Sequence, residues 1–378
     1  MSESAVVALV KCESYDEREV YTAVKQAVSL LGGWAAFVSP AEKLLLKPNL
    51  LKRAEPAAAV TTHPAVLKAV ALLLREEGCE KISYGDSPGA QSMETVARGA
   101  GLAQAAEEMG LEAADFSQTR VMEQEGVSFA ICQGVWEADA IINLPKMKTH
   151  ALERITGAVK NLYGCIGGFQ KAIGHTQYPD AVSFAGMLAK LAAAVKPRLH
   201  IMDGVVAMEG NGPGSGDPVP MKVILASADP YALDQVFCRL IDLDPALVPT
   251  NAYAAGGQAV IRTVDGDITA AEAFLKYGRS GFRVDRSDSL QFNVGPVDWI
   301  LKNLRQRPVI LKERCKSCRI CVESCPLKDK ALKMQGKYPV YDYRVCIRCY
   351  CCQEMCPHKA IGLHQPWLGR VLAGKWSR

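Results

Sequence analysis

The chain has 378 residues, 49% of them hydrophobic and 22% charged, with a formal net charge of +4. That composition excludes a disordered or fibrous protein and leaves room for one large domain and one small one. No run reaches the roughly 18 apolar residues that span a bilayer, and the start Met1-Ser2-Glu3-Ser4 carries no basic and apolar leader, so a cytoplasmic protein without a membrane span is expected.

From the N-terminus to about Asn293, short apolar runs alternate with stretches of helical period. This is the pattern of an α/β domain with a largely parallel sheet and helices on both faces. Strands are expected at Val6–Val10, Lys43–Leu46, Lys81–Tyr84, Phe129–Cys132, Ala138–Asn143, His200–Asp203 and Val223–Ala226. Helices are expected at Glu17–Leu31, Pro64–Glu77, Ser92–Ala100, Ala103–Glu108, Ser183–Val195, Ala232–Ile241 and Ala270–Lys276. Residues 1–295 are read as this domain, 296–310 as a linker with a short helix at Trp299–Leu304, 311–365 as a small α+β module and 366–378 as a tail.

Ligands of open α/β sheets gather beyond the carboxyl ends of the strands. Here polar motifs follow strand after strand: Lys47-Pro48-Asn49-Leu50, Gly85-Asp86-Ser87-Pro88-Gly89, Leu144-Pro145-Lys146-Met147-Lys148-Thr149-His150, Asp203-Gly204 leading to the run Gly210–Gly216, and Ser227-Ala228-Asp229-Pro230 with Asp234 beyond it. Each has an ordinary reading. Asp, Ser, Pro and Gly build turns; the Gly210–Gly216 run fits no phosphate-binding fingerprint and reads as a mobile lid; Asp229 caps a helix; His63 and His150 are acid/base groups or cap neighbours. Taken together, Lys47, Asn49, Lys146, Lys148, His150, Lys160 and Asn161 point to a site for a carboxylate or phosphate, with Asp86 and Asp203 as acid/base or metal groups.

Fourteen cysteines are present, nine of them between Cys315 and Cys356. They form two runs, Cys315-x2-Cys318-x2-Cys321-x3-Cys325-Pro326 and Cys346-x2-Cys349-x2-Cys352-x3-Cys356-Pro357. This spacing specifies two [4Fe-4S] clusters, the fourth cysteine of each run crossing to the other cluster. The expected ligand sets are Cys315, Cys318, Cys321 and Cys356, and Cys346, Cys349, Cys352 and Cys325. Zinc is the rival for any CxxC pair, but a four-ligand zinc site does not call for the doubled cysteine–proline ending. Beside Cys352 lies a spare thiol, Cys351; Cys12, Cys79, Cys132, Cys165 and Cys238 read as scattered fillers, with Cys165 set apart by its flanking glycines. Lys312–Lys359 holds eleven Lys and Arg against five Asp and Glu, which leaves the remainder at −2. A basic module should raise the cluster potentials and suits an acidic redox partner protein, while a nucleic-acid partner is not indicated. No oligomeric state is read from these patterns.

Residues Leu311 to Leu363 resemble the bacterial two-cluster ferredoxins, which implies low-potential one-electron transfer. The motifs at Lys47-Pro-Asn-Leu, Thr62-His63-Pro64, Gly85–Gly89, Asn143–His150 and Lys160-Asn-Leu-Tyr-Gly164 resemble the domain-of-unknown-function family 362, over roughly residues 5 to 290. That resemblance implies a fold and an association with iron–sulfur proteins, and no reaction. The leading expectation is an iron–sulfur oxidoreductase relaying electrons to or from a small anionic substrate. The alternatives are an electron carrier whose large domain docks a partner enzyme, or a non-redox enzyme with structural clusters.

Overall fold

Leu44–Pro48 and Ala140–Leu144 are buried at every position and apolar except at Lys47 and Asn143, which places both in the middle of a sheet covered on two sides. The computed structural model, which describes residues 4–168, 170–254, 258–287 and 306–366, puts them side by side. Alternate residues face opposite layers. Leu44 and Leu46 join a core built with the helices Glu17–Ser29, Pro64–Glu76, Met93–Gly99 and Leu102–Glu108. Leu45 and Ile141 join a second core with the helix Ala181–Val195. Val7 and Leu9 meet the helix Pro230–Leu240 on that same side.

The sheet strands are β1 (Val6–Lys11), β2 (Leu44–Pro48), β3 (Ile82–Tyr84), β4 (Glu112–Ala113), β7 (Ala140–Leu144), β8 (Lys146–His150), β9 (Arg154–Thr156), β10 (Leu199–Glu209), β11 (Asp217–Ser227), β12 (Val260–Thr263) and β13 (Gly266–Ile268); β5 (Thr119–Gln124) and β6 (Val127–Cys132) form a separate hairpin. The order β13-β12-β1-β11-β10-β7-β2-β3-β4 makes an 11-stranded, mostly parallel α/β sheet, with β8 and β9 branching from β10. Antiparallel pairing enters where β11 joins β1 and β10, and in the pairs β12–β13 and β8–β9.

Three expectations are corrected. Phe129–Cys132 lies within β6, which pairs with β5 rather than with the main sheet. The Lys146–His150 motif, expected as a polar segment beyond the end of a strand, is itself a strand, β8, parallel to β10 with Asp203 opposite Lys146. Gly210–Gly216 is the turn of the long β10–β11 hairpin, packed beneath the C-terminal module rather than free as a lid. The helix expected at Trp299–Leu304 lies outside the described residues. Arg307–Ile310, read as linker, pairs antiparallel with Ile361–His364 and closes the small module. Among the described residues, no helix is long and apolar enough to cross a membrane.

Candidate functional site

Chain geometry at the ends of β2, β7 and β10 concentrates cations in the interior. Lys47 and Lys148 are fully buried and Lys146 nearly so. A buried ammonium is costly unless it is paired and hydrogen-bonded, and two of the three are. Lys47 Nζ lies 2.9 Å from Asp86 Oδ1, while the Leu50 N–H donates to Asp86 Oδ2 at 2.6 Å. Gly164 closes over this pair: a Cβ there would lie 1.7 Å from Asp86 Oδ1 and 2.7 Å from Lys47 Nζ. Only glycine permits that approach.

Lys146 belongs to a second network. Its Nζ donates to Asp203 Oδ2 at 2.8 Å and to the Tyr15 hydroxyl at 2.6 Å, and that hydroxyl donates to Asp203 Oδ1 at 2.8 Å. The His63 N–H adds a bond to Oδ2 at 2.9 Å. The His63 ring stacks on Tyr15 with centroids 3.5 Å apart, and its Nδ1 accepts the Ala65 N–H, so it caps the helix Pro64–Glu76. Burial pulls the His63 pKa down to about 4, which keeps the ring neutral. Asp203 thus stands inside a saturated network.

Lys148 differs. Its Nζ donates to Asn49 Oδ1 at 2.8 Å and to the Val60 carbonyl at 2.6 Å, both uncharged acceptors, and burial lowers its pKa well below the usual lysine value. A ladder of amides continues from it: Asn49 Nδ2 donates to Asn161 Oδ1 at 2.7 Å, and Asn161 Nδ2 to Asn143 Oδ1 at 2.7 Å. Asn161 and Lys160 ride on the short helix Ala158–Asn161, whose first N–H groups are capped from another helix by Asp234 at 2.6 and 3.2 Å. Burial raises the Asp234 carboxyl to about 7.

Beyond Lys148 on β8, His150 Nδ1 accepts the N–H groups of Leu152 and Glu153, each at 3.1 Å. The ring proton therefore sits on Nε2, 3.1 Å from Glu354 Oε1 of the C-terminal module. Burial lowers the His150 pKa. Burial alone would raise the Glu354 carboxyl, yet His150 and then Lys160 bring it down to about 2. Lys160 Nζ stands 4.8 Å from the Tyr163 ring centroid and 5.6 Å from that of Phe184. Glu153 is fully buried with neither carboxylate oxygen hydrogen-bonded among the described residues, and burial raises it to about 8.

The C-terminal module meets this region directly. Glu354 lies on the helix Cys351–Met355, and on the same helix Gln353 Nε2 donates to the Asn211 and Gly212 carbonyls at 2.9 and 3.1 Å. Lys52 Nζ donates to the Cys356 carbonyl at 2.8 Å, and Asn211 Nδ2 to that of Ile361 at 2.9 Å. Gly214 fits because a Cβ would press to 2.8 Å from the Glu354 carbonyl. Burial, then Cys351, Glu354 and Cys349, raise the Tyr163 hydroxyl well above its usual value.

Cys315, Cys318, Cys321 and Cys356 line one cavity. Burial, then Cys356, Cys318 and Cys315, raise the Cys321 thiol to about 11. Burial likewise raises Cys346, whose neighbours include Cys349 and Cys325. Both runs take the same loop: Ser317 and Arg319 have φ of 57° and 67°, and Arg348 and Tyr350, at the equivalent positions, 58° and 62°. Left-handed residues alternating with right-handed ones turn successive N–H groups into an anion-binding hollow. The two sites face differently, since Cys318 of the first is exposed whereas Cys346, Cys349 and Cys352 of the second are buried. The remaining thiols Cys12, Cys79, Cys132, Cys165 and Cys238 are free and buried.

Sequence reasoning brought together Lys47, Asn49, Asp86, Lys148, His150, Lys160 and Asn161, and the structure sets them in one contiguous region, with Lys146 and Asp203 in the adjoining network. It missed Tyr15, Glu153, Gln353 and Glu354, and it named Asp234 at a strand end without its partner, the Ala158 and Val159 N–H groups. Asp234 and Glu354 were visible as acids on apolar stretches, but nothing local marks the distant partner of either.

Residues 44–239 match the model of a domain of unknown function, DUF362, and residues 307–357 match a 4Fe-4S dicluster domain, so the C-terminal module binds 4Fe-4S cofactor. The thylakoid-associated protein sll1697 of Synechocystis sp. is 38% identical over 250 residues, 65% of this chain and 77% of that protein. Among solved structures, the lactate racemase apoprotein of Thermoanaerobacterium thermosaccharolyticum matches at 11% identity, 62% of this chain, 56% of that one and a TM-score of 0.40. A protein of Thermotoga maritima matches at 10%, 58%, 57% and 0.35. With its family model covering more than half of the sequence and a 4Fe-4S dicluster module at its C-terminus, the chain belongs to the DUF362 family.

Proposed function

We propose that the protein is a cytoplasmic iron–sulfur oxidoreductase with two [4Fe-4S] clusters. One would be held by Cys315, Cys318, Cys321 and Cys356, the other by Cys346, Cys349, Cys352 and Cys325. When bound, the clusters supply single-electron transfer. Five lone buried thiols outside the runs fit a reducing compartment. The observation that carries the reading is the seating of the second run on the α/β domain: Glu354, between Cys352 and Cys356, faces His150, and Cys349 and Cys351 neighbour Tyr163. That contact gives electrons a destination.

At the destination, Lys160 is the cation best placed for an anionic group of a substrate. It is half-buried, rests on two aromatic faces and, among the described residues, makes no ion pair or hydrogen bond. Lys148 and the Asn49–Asn161–Asn143 ladder hold the floor in one geometry, and His150 keeps its proton on Nε2 at the module boundary. Glu153, kept protonated by burial, is a proton reservoir beside it. Substituting Lys160 by Met should abolish binding of small carboxylate or phosphate ligands by calorimetry; retained binding would refute the assignment. A second reading also has an observation behind it. Lys47 and Lys146 are already neutralised by Asp86 and Asp203, as they would be in a scaffold of an electron carrier whose large domain docks an enzyme.

A further inference from the structure

The module's outer side differs from its docked side. Cys318 is exposed, and around it Lys312, Arg314, Lys316 and Arg319 are exposed too, against one acid, Glu313, between Leu311 and Cys321. Lys316 and Arg319 line the cavity of the first cysteine set. Lys337 reaches the same face from a hairpin. The Ser317 hydroxyl donates to its carbonyl at 2.5 Å, and the Lys312 and Lys337 ammonium groups stand 5.8 and 5.5 Å from the centroid of one ring, Tyr338. None of these five cations forms an ion pair with a described residue, whereas nearby Arg344 is spent on Asp342 at 2.8 Å. Unpaired surface cations raise a field that steers and orients a partner of opposite charge.

We infer that this basic face, centred on Cys318, is the docking surface for an acidic one-electron carrier protein. The inference rests on the reading that both cysteine runs carry clusters, and it names the partner at the solvent end of the route. Docking there sets the carrier's redox centre against the one cysteine of the runs that is exposed. In the productive step one electron passes between the carrier and the first site; the partner is oxidised by one as that site is reduced by one, or the reverse. A membrane surface is the other polyanion such a face could meet. It is disfavoured because headgroups would cover the exposed thiolate end and bar a carrier from it, and because the face is formed by loops and a hairpin rather than by an amphipathic helix.

The test uses the full chain, reconstituted anaerobically, with an oxidised acidic [2Fe-2S] ferredoxin as probe. Calorimetry should show binding that weakens at least about tenfold between low and high salt, as steered pairs do. The triple variant Lys312→Glu, Arg314→Glu, Lys337→Glu avoids every cysteine and should lose at least about tenfold in affinity at low salt, while reduction by dithionite is unchanged. Should the triple variant load iron poorly, Lys337→Glu alone carries the comparison. Salt-independent binding, or wild-type affinity in the variants, overturns the inference. So does variant-sensitive co-sedimentation with phosphatidylglycerol vesicles alongside unchanged ferredoxin binding. Failure of the underlying reading looks different, because the wild-type chain would then neither hold iron nor be reduced by dithionite.

Discussion

Replacing Asp86 by Ala should unfold much of the α/β domain's stability margin. The substitution leaves the Lys47 ammonium fully buried without its counter-ion and strips the Leu50 N–H of its acceptor. Stranding one partner of a buried ion pair costs about 3–5 kcal/mol, and an orphaned buried N–H adds about 1–3 kcal/mol. Against a typical total of about 5–15 kcal/mol, a loss of about 5 kcal/mol is large. Urea unfolding followed by far-ultraviolet circular dichroism would read it as a shift of midpoint at constant slope. The double variant Lys47→Met, Asp86→Leu removes both charges and should recover most of the loss. A single variant within about 1 kcal/mol of wild type, the worth of an exposed ion pair, would refute the reasoning. It would mean that Lys47 has solvent or a ligand to turn to, and that the pair belongs to an open site rather than to the scaffold.

Glu153→Gln tests the buried carboxyl. Its folded pKa of about 8 lies above the unfolded value, so the folded state keeps a proton that the unfolded state has lost, and wild-type stability falls as pH rises from about 4.5 to about 8. The Gln variant lacks this dependence, and the difference in unfolding free energy should grow toward alkaline pH by up to about 1.4 kcal/mol per unit; parallel curves would contradict the assignment. Gln353→Ala removes the amide that holds the Asn211–Gly212 turn and should cost about 1–3 kcal/mol, seen as faster amide exchange in that turn with the β2 and β7 amides unaffected. Asp234→Ala should uncap Ala158–Asn161 at a cost of about 0.5–2 kcal/mol and, under the proposed function, weaken anion binding through Lys160 more than it changes overall unfolding.

The α/β class was legible because β1, β2, β7 and the helices against them obey their periods, with Val7 and Leu9 facing one layer and Ala8 and Val10 the other. β8 was not. Lys146, Lys148 and His150 alternate as a strand should, but every position of β8 is buried and these polar residues are buried together with the core residue Met147, so no alternation of buried apolar with exposed polar residues marks it. The cysteine runs were legible from spacing alone, since loop closure around a cubane is local. The site's composition was partly legible because lysines beside proline and glycine stand out. Its electrostatics were not, because the partners of Lys47, Lys146 and His150 lie 39, 57 and 204 positions away in the chain, as the pairs Lys47–Asp86, Lys146–Asp203 and His150–Glu354 show.

Iron counting with paramagnetic resonance on the full chain tests the central claim most directly. Anaerobic reconstitution should give about eight iron atoms per chain and two reducible signals, the count for two cubanes. Replacing Cys318 by Ala should perturb one of those signals, and replacing Cys349 the other. About one zinc per cysteine run, without charge-transfer absorption, would contradict the account.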